Sequence, residues 1–158
     1  MRVYADTSFL VRLVTAEPGT EAAMADYHRL GRPPLFYLPL HQLEVSNAIR
    51  QRAFHQRRTL PSSERSAIKR ENDSALALLA KFISRRVLLD CAVDMDTVIE
   101  LARNLSAKHT GRLGCRAFDL LHIACALELE CKAFLTADRV QGSLAQAERL
   151  AVTVSAED

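Results

Sequence analysis

The chain has 158 residues, 49% of them hydrophobic, which suits one domain over residues 1–158 with a core large enough to fold alone and excludes disordered or low-complexity classes. A net charge of +2 demands no nucleic-acid partner, so that argument must rest on local charge. Cys91, Cys115, Cys125 and Cys131 show neither C-x-x-C spacing nor nearby paired histidines, and no apolar run resembles a signal peptide or a membrane span; the expectation is a cytoplasmic protein with reduced thiols and no zinc cluster.

Arg2-Val-Tyr-Ala-Asp6 reads as a short strand ending in an acid, and Phe9 to Val14 as a helix capped by Asp6 or Ser8. Glu17-Pro18-Gly19 is a turn, after which Thr20 can cap a second helix carrying Ala23, Tyr27 and Leu30 at helical spacing. Gly31-Arg-Pro-Pro34 breaks it, and Leu35 to Leu38 is a second strand. A long helix starts near Pro39, with Leu40, Leu43, Asn47 and Phe54 expected on its inward side and Glu44 inside the same arc.

Pro61-Ser-Ser63 opens another helix with the stripe Ala75, Leu78, Leu79, Phe82 and Ile83, so residues 57–86 read as a basic helical hairpin arm. Val87-Leu-Leu89 is a third strand, and Asp94 or Asp96 caps a helix carrying Val98, Leu101, Ala102 and Leu105. Lys108 to Arg116, with two glycines, reads as a mobile, exposed basic connection. Asp119 then opens an almost wholly apolar helix, Ala133-Phe-Leu135 is a buried strand ending in Thr136-Ala-Asp138, and a helix and a last strand, Ala151 to Val154, finish the chain. Strands alternating with helices predict an α/β sandwich with a short parallel-type central sheet and helices on both faces.

Each acid has an ordinary explanation taken alone. Asp6 and Asp119 stand where caps stabilise helices by about 1 kcal/mol, and Asp138 sits in a post-strand turn. Together they read differently. Asp6 and Asp138 follow strands of one polarity, Asp119 opens the helix leading into that sheet, and Glu44 lies one turn into a helix entered from another strand. Such carboxylates raise one another's pKa unless a cation intervenes, and oxygen ligands suit Mg²⁺ or Mn²⁺. Such an ion activates water and stabilises charge on a phosphodiester. An acid-rich centre near basic arms is the arrangement expected of a nuclease.

Tyr4-Ala-Asp6-Thr-Ser8, Leu43-Glu44-Val-Ser-Asn-Ala48, Phe118-Asp119-Leu-Leu-His122-Ile-Ala124 and Phe134-Leu-Thr136-Ala-Asp138 together resemble the PIN domain, in the family's order and over nearly the whole chain. The nearest likeness is to VapC-type toxins of bacterial toxin–antitoxin pairs. The resemblance implies a PIN-like fold and a metal-dependent endoribonuclease, with Asp6, Glu44, Asp119 and Asp138 holding Mg²⁺ or Mn²⁺ and serving catalysis. It also implies that Ser8 and Thr136 orient a carboxylate or water from behind, and that a homodimer and a cognate antitoxin exist. His122 is expected to pack and hydrogen-bond rather than to ligate metal.

Two basic groups are candidates for RNA. Arg50, Arg52, Arg57, Arg58, Lys69 and Arg70 form one; Lys108, His109, Arg112 and Arg116 form the other, which directly precedes Asp119 and is favoured for holding RNA at the centre. Little aromatic interleaving marks either group, so no stacking platform is expected. The alternative class is a PIN-like RNA-binding or scaffold domain without chemistry. Phosphatase, P-loop and dinucleotide-binding readings lack their motifs.

Overall fold

The structure is a computed structural model and describes residues 1–16 and 18–154; Glu17, placed in a turn above, lies outside the described residues. Among the described residues five short strands alternate with helices: β1 (Val3–Ala5), α1 (Thr7–Val14), α2 (Thr20–Arg29), β2 (Leu35–Tyr37), α3 (Pro39–Thr59), α4 (Arg65–Ser84), β3 (Leu88–Asp90), α5 (Met95–Leu105), α6 (Gly111–Leu113), α7 (Ala117–Glu128), β4 (Ala133–Thr136), α8 (Arg139–Ala147) and β5 (Ala151–Val154). All strand pairs are parallel. β4 lies between β1 and β5, and β2 pairs with β3. Among the described residues no helix is long and apolar enough to cross a membrane.

The expected central sheet is present in two pieces, with β2 packed beside β1 but without a ladder between them. The His41 side chain occupies that seam. Its Nε2–H donates to the Ala5 carbonyl at 3.0 Å, and its Nδ1 accepts from the Leu38 N–H at 3.1 Å. The imidazole thus satisfies two backbone groups that strand pairing would otherwise take up. Burial, with His122 adding to it, pushes the His41 pKa down to about 3, so the ring is neutral.

Alternation along the central strands divides the core. Val3 and Ala5 of β1, with Ala133 and Leu135 of β4, face a cluster built on α1, α2, α3 and α4. Tyr4 and Phe134 point the other way, into a cluster with α5, α7 and α8. Both sheet faces are therefore covered by helices, as a parallel sheet requires.

Four expectations need correction. The inward face of α3 is His41, Val45, Ile49 and Ala53, while Leu43 is 66% exposed and Phe54 51% exposed. Spacing of four along the helix sets that stripe, and His41 belongs to it because both ring nitrogens are bonded. Thr20 is the first helical residue, not the cap. Gly19 caps α2 at φ +81°, and a Cβ there would also meet the Arg12 guanidinium.

The 57–86 hairpin exists, but Ala75 and Leu79 belong to the main core, so only its distal end stands clear. The Lys108–Arg116 connection is ordered. Ser106–Thr110 continue α5 as a wide π-type turn, α6 follows, and Gly114 at φ +67° closes it. His109 is buried with Nε2 2.6 Å from Glu148 Oε1, and Lys108 Nζ donates to the same oxygen at 2.7 Å.

Candidate active site

The carboxyl ends of β1 and β4 are adjacent in register, Ala5 opposite Leu135, so Asp6 and Thr136–Asp138 meet at one edge. Asp6 is the N-cap of α1. Its Oδ1 accepts from the Phe9 N–H at 2.9 Å and the Ser8 hydroxyl at 2.7 Å, and its Oδ2 from the Thr136 hydroxyl at 2.5 Å. The residue is 0% exposed. Burial pushes its carboxyl up, against the opposing influence of His122 and of these hydrogen bonds.

Ser8 also accepts from the Ala137 N–H at 2.8 Å, and Thr136 from the Asp138 N–H at 2.9 Å. The two hydroxyls therefore tie the β1 and β4 ends together while holding Asp6. Asp138 caps α8, its Oδ1 accepting from Val140 N–H at 2.7 Å and Gln141 N–H at 3.0 Å. Asp119 lies inside the first turn of α7, behind the cap residue Arg116, and its Oδ2 accepts from the Arg116 N–H at 2.7 Å. Helix N-termini thus hold three acids, where the dipole favours negative charge.

Glu44 is held by side chains instead. Its Oε2 accepts from the Thr7 hydroxyl at 3.0 Å and from His122 Nε2–H at 2.7 Å. A carboxylate only accepts, so His122 Nε2 carries the proton of that hydrogen bond, and its Nδ1 lies 2.9 Å from the Tyr4 hydroxyl. Tyr4 and His122 are both buried, and this chain fixes Glu44 from inside the core. His122 packs and hydrogen-bonds as expected, and its partner is Glu44, 78 positions away in the chain, a contact that leaves no local sequence signal.

Glu44, Asp119 and Asp138 line one open cavity of about 570 Å³, together with Thr7, Ser8, Arg12, Arg116, Phe118, His122 and Gln141. Asp6 and Thr136 sit behind its floor and do not line it. Arg116 is at the cavity. Arg112 is exposed on α6 and does not line the cavity, and Lys108 is committed to Glu148 at the far end of α8 from Asp138, about 14 Å at 1.5 Å per residue. Phe118, which heads the motif around Asp119, and Arg12, which no motif marks, also line the cavity.

Among the described residues no three His, Cys, Asp or Glu side chains form a compact metal cage. The donor chemistry nonetheless suits a hydrated hard cation. The lining acids offer oxygen only, both His122 nitrogens are engaged, and Mg²⁺ commonly keeps several of its waters. The buried Gln141 carboxamide oxygen, also at the cavity, has no hydrogen-bond partner among the described residues, and a water layer would supply one.

A parallel α/β core with acids gathered at the strands' carboxyl edge puts this cavity where α/β sheets build their ligand sites. The chain matches the PIN domain family over residues 3–147 and belongs to it, a family whose members are generally metal-dependent nucleases. No curated protein matches it.

Proposed function

We propose that the protein is a metal-dependent endoribonuclease, of the kind found as VapC-type toxins and neutralised by a cognate antitoxin. The observation that carries this reading is the convergence of Glu44, Asp119 and Asp138, with Arg116, on one cavity whose lining residue Ser8 bonds the buried Asp6. Family membership supports nuclease chemistry; the toxin role, the antitoxin and a homodimer rest on the motif resemblance, and a cytoplasmic location on the cysteine pattern.

In this reading Glu44, Asp119 and Asp138 hold Mg²⁺ or Mn²⁺, with Asp6 supplying negative charge from below. A bound ion would supply an activated water and charge stabilisation at the scissile phosphate, leaving 5′-phosphate and 3′-hydroxyl ends. The chain's own groups do the positioning. Thr7 and His122 fix the Glu44 carboxylate, the first turns of α7 and α8 fix Asp119 and Asp138, and Ser8 and Thr136 fix Asp6. Arg116, which lines the cavity, would meet a phosphate oxygen of the substrate, with Arg112 four residues earlier on α6.

The sealed position of Asp6 is the one observation favouring the second reading, an RNA-binding PIN domain without chemistry. The separating experiment is incubation of total RNA with purified, antitoxin-free protein in Mg²⁺, Mn²⁺ or chelator, beside Asp138→Asn. Metal-dependent fragments that fall by about 10²-fold or more in the variant support the nuclease. RNA binding without fragments under every condition supports the second reading.

A further inference from the structure

The outer flank of α3 is surface, with Leu43 and Phe54 exposed on it. From the cavity residues Glu44 and Ala48, steps of three and four lead to Gln51, His55 and Arg58, a single stripe along the helix. Gln51, His55 and Arg58 are exposed. Beside them the Arg58 guanidinium lies 5.4 Å from the centre of the exposed Phe54 ring, which also meets the His55 ring edge-on. The stripe thus offers an amide, an imidazole, an aromatic ring and a guanidinium in succession.

At the end of this stripe the charge is strongly one-sided. Residues 50–70 hold seven lysines and arginines and a single acid, Glu64, whereas the whole chain carries only +2. Arg52 is bonded to the Ala16 carbonyl at 2.9 Å, and Lys69 to Asp73 at 2.6 Å. Arg57 of α3 nevertheless converges with Arg65 and Lys69 of α4 on one shallow recess, so cations from both arms of the hairpin face a common volume. Such mutual repulsion is relieved by an anion with spaced charges. A nucleic-acid strand has that form, and an acidic cavity at one end of the track with a basic recess at the other can hold it in register.

We propose that the tip of the α3–α4 hairpin is a second RNA-backbone site, taking the phosphates of the strand that leaves the cavity along Ala48, Gln51, His55 and Arg58. The inference rests on the nuclease reading for its direction along the strand. Fourteen residues separate Glu44 from Arg58, about 21 Å of helix at 1.5 Å per residue. At about 3.4 Å per stacked nucleotide, the tip is reached roughly six nucleotides from the scissile bond. Short RNA therefore occupies the cavity alone, and longer RNA gains the tip.

The test combines Arg57→Ala, Arg58→Ala and Arg65→Ala in one variant. The control removes the same charge elsewhere through Lys81→Ala, Arg85→Ala and Arg103→Ala, all exposed positions. Binding of a fluorescent single-stranded 20-mer RNA is followed by anisotropy in chelator across a salt series. The tip variant is expected to bind roughly tenfold more weakly and to lose about 2 from the log–log salt slope, at about 0.7 per phosphate on a single strand, with the control near the unmodified protein. In Mg²⁺, kcat/KM on the 20-mer should fall by a similar factor, while that on a 6-mer with three nucleotides either side of the cut stays unchanged.

Equal losses in the tip and control variants, or an unaltered 20-mer affinity and slope, overturn the proposal. Equal loss on both RNA lengths also overturns it. If no RNA is cleaved at all, the nuclease reading fails by itself and the anisotropy arm still decides the tip.

Discussion

The floor and the rim of the cavity hold their acids by different physics. On the floor, Asp6 is sealed from water and its oxygens are satisfied by Ser8, Thr136 and a backbone N–H. On the rim, Glu44, Asp119 and Asp138 remain at the cavity surface, each steered by one or two donors. A buried acceptor that loses a donor bears the full desolvation penalty, whereas a rim acceptor can turn to water. The floor should therefore couple activity to stability, and the rim should leave them separate.

The same hydroxyl-to-methyl change on the two sides sharpens that contrast. Thr136→Val strips Asp6 Oδ2 of its donor and should cost about 1–3 kcal/mol in urea unfolding, together with roughly 10–100-fold in metal affinity or rate. Thr7→Val removes one of two donors to Glu44 Oε2 at a half-buried position. It should lower the rate but change stability by less than about 0.5 kcal/mol. Equal destabilisation by both would erase the floor–rim distinction.

A second break point lies in the seam below the floor. The unfolded chain protonates His41 near 6.5, while the folded ring stays neutral down to about 3. Between those values the unfolded state binds more protons, so this residue's contribution is intact above pH 6.5 and is lost as pH falls, by about 1.4 kcal/mol per pH unit. Comparing urea unfolding at pH 7.5 and pH 5 should show His41→Gln flattening that fall by about 2 kcal/mol. An unchanged pH dependence in the variant would remove His41 from the seam's energetics.

The smallest effect concerns the basic residues before α7. Arg116→Ala should weaken RNA binding roughly tenfold, because Arg116 lines the cavity. Lys108→Ala should leave it within about twofold, since its ammonium serves Glu148. Burial raises the Glu148 carboxyl, but the hydrogen bonds from Lys108 and His109 outweigh this and hold it below its ordinary range. Equal losses of RNA binding would place Lys108 in the interface after all.

Much of this arrangement was legible in the sequence. Short strands each ending in an acid or entering a helix placed Asp6, Glu44 and Asp138 near one sheet edge, because strand polarity fixes which ends come together. The α3 face was misread because pattern analysis seeks apolar residues inward, and His41 is inward through its hydrogen bonds while Leu43 and Phe54 are outward. Glycines at 111 and 114 suggested a mobile link, yet one ends a helical turn and the link is anchored by His109 on Glu148. The Tyr4–His122–Glu44 chain joins residues from three distant segments, which a one-dimensional pattern cannot bring together.

Mn²⁺ binding, read from the loss of the free-ion signal by electron paramagnetic resonance, tests the central claim most directly because it needs no substrate. Unmodified protein should take up Mn²⁺ in competition with Mg²⁺, and Asp119→Asn and Asp138→Asn should each weaken uptake by roughly tenfold or more. Uptake unchanged in both folded variants, or none in the unmodified protein, would contradict a metal centre at this cavity.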